Sequence, residues 1–584
     1  MTSSIDLGPQ ACQRGFQFGA QARDFDVDGF AQGNSQAAAV AAYSKRAATP
    51  IGSGRSAAQW QALHLHARRG VIARRRSRRP SNMPSQQPSD TTKLDWHGSR
   101  LCVRLPERAR VALELDGAWF DDLAADADGM LSLTFPFAPN GRDAFDVVVR
   151  DQRDGVELAR LSVASRRRLQ PPREGEWLLP IDAQPMRPEV AIVIPIFNAP
   201  GSVARCLASV LAHSAGATRL ILIDDASSDA QIAPLLEPFL NRAGIEVLRN
   251  THNRGFTATV NRGIAHAERA DVVLLNADTV VGPNWLTGLR RAAYTRADIA
   301  TATAVSDNAG AFSVPELERE NDWPSNWNVV EAARALWQDA GLAYPQLPTG
   351  NGFCMYIRRN VFDAIGLFDE QAFAQGYGEE NDFCQRASAH GLRHVIVGNV
   401  FVHHERSMSF GIERRESLGR TGMQVLRERW PNYEADVGAT LFSFERRVLD
   451  WRVRRLYAMA SMRSIRPRVL RVGAMDAPAN GEFDVWHARE HGDRCALHDA
   501  HGDTVDAQSP TAAVAPELAR LLQSHAIELL DVRCAGDSNL VAHWTEQARR
   551  IGVAVVERHE HGLEDSTVYR AAIRSQATFG EMSA

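Results

Sequence analysis

The sequence predicts an α/β protein built on a mostly parallel sheet with flanking helices, preceded by a small β-domain and followed by helices and a second small α/β region. Three observations predict this. From Val190, apolar strands alternate with helices through VAIVIPIF and VARCLASVLAHS, LILIDD and DAQIAPLLEPFLNRAG, IEVLRN and FTATVNRGIAHAER, DVVLLNAD and WLTGLRRAAY. Strands with no polar face, set between helices, belong to parallel sheets. Between Leu94 and Ala164, the segments LCVRLP, ARVALELDG, MLSLTFPF and DAFDVVVRD alternate apolar with polar residues between Gly, Asp and Asn turns, the pattern of antiparallel strands. From Arg466, RVLRVGAM, ELARLLQSHAIELLDVRC and WTEQARRIGVAVVERH return to strand and helix.

In chain order, residues 1–90 are rich in Ala, Ser, Gln and Arg without a sustained period and read as a disordered basic segment. Its run Arg74, Arg75, Arg76, Arg78 and Arg79 is a solvated tail before it is a nucleic-acid or lipid site, and Met83 is an alternative natural start. Residues 91–170 form the β-domain and 171–189 a proline-rich linker. The core domain spans 190–410 and a helical extension 411–464. Within the extension, FERRVLDWRVRRLYAMASM interleaves Leu449, Trp451, Leu456 and Tyr457 with arginines. It reads as a packed helix flanked by arginine stems, with a membrane-surface helix as the alternative. Residues 465–584 are the C-terminal α/β region, for which a shortened domain of the two-Rossmann type is one reading.

A chain of 584 residues with 44% hydrophobic content can fill several cores. A formal charge of -4 and a pI near 6.5 give the whole molecule no reason to seek nucleic acid, and none is expected as a partner. The seven cysteines are odd in number and lack a CxxC pair, which reads as reduced thiols in a cytosol. No apolar run approaches the roughly 20 residues of a spanning helix, and the start lacks the order of a secretory signal. The expected location is cytoplasmic, with peripheral contact at the inner membrane face as its variant.

The chemistry sits at the strand ends, where such sheets bind ligands. In IPIFNAPG, Pro195 and Asn198 stop the strand, as an ordinary turn also would. In LIDDASSD, a carboxylate can cap a helix or accept the N3 hydrogen of uracil or thymine, and Asp225 is preferred to Asp224 as that acceptor. In NTHNRGFTATVNRG, Arg254 and Gly255 suit a phosphate, or a helix cap nearly as well. In VVLLNADTVV, Asp278 follows Asn276 where an apolar strand halts, and its oxygens are ligands that Mg2+ or Mn2+ prefers, with a diphosphate supplying the rest. GYGEEND then sets Glu379, Glu380 and Asp382 behind two glycines.

IPIFN, DDASSD, NRGF, LNAD and GYGEENDF, in this order and followed by FVHHERSMSF, resemble the family 2 glycosyltransferases, which have the GT-A nucleotide-sugar fold. The resemblance covers about Val190 to Phe410. It implies that Pro195, Asn198, Asp225 and Asn276 hold the nucleotide sugar, that Arg254 and Gly255 border it, and that Asp278 ligates a divalent metal, Mn2+ or Mg2+. It favours His404 over His403 as a further metal ligand. It makes Glu380 the general base that takes the acceptor hydroxyl's proton, with Glu379 orienting the acceptor. In TGNGFCMYIRR it places Gly350, Asn351 and Gly352 on the sugar and acceptor side, with AVSDNAGAFS, Ala304 to Ser313, as a further candidate. Asp382, four residues before Arg386, reads instead as a helix-surface ion pair.

Two positions depart from the family pattern: the metal motif is Asn-Ala-Asp rather than two aspartates, and the base is Glu rather than Asp. The implied activity is inverting transfer from a UDP- or dTDP-sugar to a hydroxyl of a bacterial surface glycan or lipid-linked glycan. A non-catalytic glycan- or nucleotide-binding scaffold is the rival. A nucleotidyltransferase would need a glycine-rich basic loop that IPIFNAPG lacks.

Overall fold

The computed structural model describes residues 93–97, 100–105, 109–135, 145–163, 188–214, 219–342, 344–374, 376–405, 412–473, 481–491, 494–502, 504–508, 515–533, 539–557 and 565–574. The arginine run, Met83 and most of the linker lie outside these residues. No helix among the described residues is long and apolar enough to cross a membrane.

Strands β1 (Lys93–His97), β2 (Arg100–Arg104), β3 (Arg110–Leu115), β4 (Ala118–Ala124), β5 (Met130–Thr134), β6 (Phe145–Asp151) and β7 (Glu157–Val163) come first. They form two antiparallel sheets, β1-β2-β5 and β4-β3-β6-β7. The alternation seen in the sequence is the alternation of faces: in β3, Val111, Leu113 and Leu115 point inward. Between the sheets lie Trp96, Phe120, Phe135 and Phe145.

The central domain runs β8 (Val190–Ile196), α1 (Pro200–His213), β9 (Arg219–Asp224), α2 (Ile232–Leu236), β10 (Ile245–Arg249), α3 (Phe256–His266), β11 (Asp271–Leu275), β12 (Thr279–Val281) and α4 (Trp285–Ala293). It continues through β13 (Ile299–Val305), α5 (Val329–Asp339), β14 (Cys354–Ile357), α6 (Arg359–Ile365), α7 (Glu379–Ala389) and β15 (Arg393–His404). The sheet order is β10-β9-β8-β11-β14-β13-β15-β12. Strands β10, β9, β8 and β11 are mutually parallel, as are β13 and β15. β14 opposes both of its neighbours and β12 opposes β15. The chain leaves β8 to β9 on one side and returns to β11 on the other, which opens a crevice beyond the carboxyl end of β8. Helices press closely on this sheet. A Cβ at Gly263 of α3 would come within 2.4 Å of Val193 and 2.6 Å of Ile223, so only glycine lets the helix settle at that depth.

Three helices follow: α8 (Ile412–Arg429), α9 (Tyr433–Leu441) and α10 (Phe444–Ala458). α10 carries two apolar stripes at helical spacing. Val448 and Trp451 belong to the β-domain core, while Leu449, Val453 and Leu456 belong to the central core. Its arginines are engaged with protein: Arg447 pairs with Asp121, and Arg454 reaches Glu316 at 2.7 Å and stacks on Trp119. The membrane-surface alternative for this helix is therefore corrected, because its apolar face is consumed on both sides.

The last region comprises β16 (Arg468–Gly473), β17 (Asp484–His491), β18 (Arg494–His498), β19 (Thr504–Gln508), α11 (Ala515–Ser524), β20 (Leu529–Arg533), α12 (Asn539–Arg550), β21 (Ala554–Glu557) and α13 (Asp565–Arg574). Its sheet, β19-β18-β17-β16-β20-β21, is parallel from β17 to β21 and antiparallel at the other edge. It docks on α4 and α5: Arg291 donates to the Ile551 carbonyl at 2.7 Å, and the buried Glu528 meets Arg334 at 3.1 Å.

Candidate active site

The strand ends expected to carry chemistry fall into two groups joined by Gly352 and Phe353. In the first, Asn198 has φ 59°, which turns the chain out of β8. Its side-chain oxygen accepts from the Ser228 and Asp229 N–H groups at 2.9 and 3.0 Å, so it ties the end of β8 to the DDASSD turn. Pro195 stays within β8, opposite Ile223. Asp224 is buried, accepts from Ser227 N–H at 2.8 Å and pairs with Arg249 at 2.9 Å.

Asp225 is also buried and receives three donors: Asn250 Nδ2 at 2.7 Å, Arg254 N–H at 2.8 Å and Gly255 N–H at 3.1 Å. Both readings of this acid have a physical basis. The carboxylate caps the turn that opens α3, yet two oxygens offer about four acceptor sites, which leaves room for one further donor. Arg254 contributes its backbone to Asp225 while its side chain is exposed. Gly255, at φ 82°, is the residue that starts α3.

In the second group, Asp278 and His404 meet. β12 and β15 pair antiparallel with Thr279 opposite His404, and the Glu405 N–H donates to the Asp278 carbonyl at 3.0 Å. This register brings His404 Nε2 to 3.3 Å from Asp278 Oδ1. The other ring nitrogen lies 3.0 Å from the Asn308 carbonyl. A carbonyl only accepts, so Nδ1 donates to Asn308, and Nε2 is the ring nitrogen that faces Asp278. With its Nδ1 side anchored on a backbone carbonyl, a metal-ligating imidazole would use Nε2, and Nε2 beside the Asp278 carboxylate fits a divalent cation. Among the described residues no group of three or more His, Cys, Asp or Glu side chains could hold a metal by itself. The pair would therefore share an ion with oxygens from a ligand.

His403 turns elsewhere. Its Nδ1 donates to Asp307 at 2.8 Å and its ring meets the edge of Trp323. Burial disfavours its charge, but the Asp307 carboxylate outweighs burial and raises its pKa.

Phe353 stacks on His404 with ring centroids 5.4 Å apart, and its carbonyl accepts the Asn276 N–H at 2.9 Å. One residue earlier, the Gly352 N–H donates to Glu380 Oε1 at 3.1 Å. A Cβ on Gly352 would lie 2.9 Å from that oxygen and 3.5 Å from the Phe256 ring at the start of α3. The Gly352–Phe353 step thus holds Glu380 and the Asp278–His404 pair side by side, against the turn that Asp225 caps.

All three acids of GYGEEND stand in the first turn of α7, where the helix dipole favours negative charge. That accounts for part of their density. Glu380 is half-buried. Glu379 is 2% exposed and its Oε2 accepts the Gly378 N–H at 3.0 Å. Burial first, and the neighbouring Glu380 second, push its pKa well above the usual carboxylate range. It has no surface to offer an acceptor, which corrects its expected role. Asp382 is corrected as well: the Arg386 pair exists at 2.9 Å, but Asp382 is 1% exposed and also receives Arg429 and Trp430, each at 3.1 Å. It fastens α8 to α7 from inside.

Gly350 departs from its expected place on the sugar and acceptor side. Its N–H donates to Cys384 Sγ, and a Cβ there would strike Met355 at 2.2 Å, so packing fixes this glycine. Asn351 is half-buried and accepts the Phe353 N–H at 3.1 Å. The AVSDNAGAFS segment serves the histidines, because Asp307 is 3% exposed and accepts both His403 Nδ1 and the His404 N–H. Sequence reasoning missed that role, and it missed Phe353.

The model of glycosyl transferase family 2 matches residues 191–366. The central domain belongs to that family. Curated proteins similar to this chain include an N-acetylglucosaminyl-diphospho-decaprenol L-rhamnosyltransferase of Mycobacterium tuberculosis, 27% identical over 38% of this chain and 78% of that protein. A succinoglycan biosynthesis protein of Rhizobium meliloti is 28% identical over 22% of this chain and 35% of its own length. The chain spans 29% of another relative, from Sinorhizobium fredii, so it covers about a third or less of two of these proteins. Among solved structures, a mannosyltransferase from Pyrobaculum calidifontis in complex with GDP-Man and Mn2+ aligns at 17% identity and a TM-score of 0.32, covering 50% of this chain and 82% of that one.

Proposed function

We propose that the protein is an inverting, divalent-metal-dependent glycosyltransferase. It moves a sugar from a UDP- or dTDP-linked donor to a hydroxyl of a glycan or lipid-linked glycan in bacterial surface polysaccharide synthesis. The observation that carries this reading is the Gly352–Phe353 step, which binds Glu380 through one residue and stacks on His404 through the next. An acceptor hydroxyl at Glu380 loses its proton to the carboxylate as its oxygen attacks the anomeric carbon. The bond from that carbon to the diphosphate oxygen breaks on the opposite face, and the configuration inverts. Asp278 and His404 would hold a Mn2+ or Mg2+ ion that neutralises charge on the departing nucleoside diphosphate. On this reading Asp225 has an acceptor site left for a pyrimidine N3 hydrogen, and Asn198, Asn276, Arg254 and Gly255 would border the nucleotide sugar.

The name of the M. tuberculosis relative supports a deoxyhexose donor and a lipid-linked diphosphate acceptor. Such an acceptor would bring the enzyme to the cytoplasmic face of the membrane. The test is a panel of UDP- and dTDP-sugars assayed for release of nucleoside diphosphate. One donor is expected to be consumed with Mn2+, to be spared with EDTA and to be consumed again when Mn2+ is restored. No release from any donor across the panel would sink the proposal.

A further inference from the structure

We propose that Arg446 and Asp307 are positioning residues for the His404 imidazole, acting through the loop from Ser306 to Ser313. The functional meaning of this device rests on the reading of His404 as a metal ligand. The geometry stands apart from that reading.

Besides the Phe353 stack and the β12 pairing, two hydrogen-bond acceptors hold His404, and both come from this loop. The Asn308 carbonyl takes the Nδ1 proton at 3.0 Å, and Asp307 Oδ1 takes the backbone N–H at 3.1 Å. Both carboxylate oxygens of Asp307 are engaged here, since Oδ2 receives His403 at 2.8 Å and Oδ1 also receives Ser306 Oγ at 3.0 Å. The loop closes on itself through a Ser306–Ser313 bridge, with Val314 N–H on the Ser306 carbonyl at 2.9 Å and Ala309 N–H on Ser313 Oγ at 2.8 Å. Whatever holds Ser313 therefore holds residues 307 and 308.

Arg446 of α10 holds it. The guanidinium is 1% exposed, donates to the Ala311 and Ser313 carbonyls, and is neutralised by Asp450 at 3.0 Å. A buried ion pair gains little stability over an apolar pair of the same volume. A planar fork, however, can grip two carbonyls at once, which an ammonium on a flexible stem does poorly. The grip runs from Arg446 to the loop, and from the loop to the proton on Nδ1 that leaves Nε2 facing Asp278. Because Val448 and Trp451 of α10 lie in the β-domain core, the β-domain is built into the support of that imidazole.

The experiment uses the full chain with nitrogen-15-labelled histidine and compares the ring signals of His404, assigned by loss in His404→Gln. The wild type is set against Arg446→Lys, Asp307→Asn and the paired replacement Arg446→Met with Asp450→Leu, which removes both charges and strands neither. Binding of Mn2+ in the presence of UDP is measured on the same samples by electron paramagnetic resonance. The wild type is expected to show Nδ1 protonated and hydrogen-bonded to the Asn308 carbonyl. Each variant is expected to show mixed tautomers and Mn2+ binding weakened about 10- to 100-fold, the usual loss for residues behind a metal ligand. An unchanged His404 tautomer in the folded variants would overturn the proposal. Should His404→Gln bind Mn2+ as tightly as the wild type, the metal reading falls, while the nitrogen-15 result still decides the positioning role.

Discussion

His404 Nε2 stands 3.3 Å from Asp278 Oδ1, with His404 at the end of β15 and Asp278 directly before its partner strand β12. Substituting either residue removes a donor atom from the pair. Residues that merely support a metal ligand cost about 10- to 100-fold when changed, so Asp278→Asn and His404→Gln should each lower Mn2+-dependent turnover by more than about 100-fold. A titration of nucleoside diphosphate release against Mn2+ checks this. A variant with the wild-type Mn2+ dependence takes its residue out of the site.

Glu379 and Glu380 are adjacent carboxylates with opposite expectations. Glu379 is sealed, and burial and then its neighbour push it toward the neutral form, which an amide in its place resembles. Glu379→Gln should retain turnover within about tenfold. Glu380→Gln loses the proton acceptor and should lose about 100- to 10,000-fold in transfer, while donor binding by calorimetry stays near the wild-type value. Equal losses in the two variants would contradict this division of labour.

The central domain was legible because its strands are continuous apolar runs and its chemistry sits where each run stops. Asp278 was singled out as a candidate for that reason, and the family resemblance favoured His404 over His403. Its lines of contact were not legible. Asp307 supports His404 across an insertion that includes α5, α6 and α7, and no local pattern announces such a partner. Asp382 looked like a surface residue because its i,i+4 arginine is in sequence, whereas Arg429 and Trp430, which bury it, arrive with the later helix α8. The expected role of Gly350 failed for a related reason: a glycine that permits close approach to a ligand and one that permits close approach to Met355 read alike.

Asp382 should matter for stability and not for the chemical step. Asp382→Ala leaves the Trp430 N–H and two guanidiniums facing a buried void, and breaking one side of a buried pair is strongly unfavourable. Arg386 and Arg429 retain some access to solvent, so a loss of about 3 kcal/mol is expected at the low end of that range. Denaturant unfolding measures it. Unchanged stability accompanied by lost transfer would instead place Asp382 in the reaction.

His394 ties stability to acid pH. It lies at 2% exposure between Thr301 and Cys384, with Nε2–H on the Cys384 carbonyl at 2.9 Å and Nδ1 within 2.8 Å of the Thr301 hydroxyl. Burial lowers its pKa to about 4, against a partial opposing effect of the Cys384 carbonyl. His213 is lowered to about 4 as well, by burial and then by Arg334. In the unfolded chain a histidine takes its proton near pH 6.5. Between that pH and about 4 the unfolded state binds a proton that the folded state refuses, so stability is complete above pH 6.5 and falls as the solution is acidified. For His394 the whole window corresponds to about 3 kcal/mol. His394→Gln cannot titrate, while His213 and the carboxylates act alike in both proteins. The stability gap between wild type and variant should therefore narrow by about 2.5 kcal/mol from pH 7.5 to pH 4.5 in urea unfolding, and a gap that stays constant across that range would show that His394 is protonated in the folded protein.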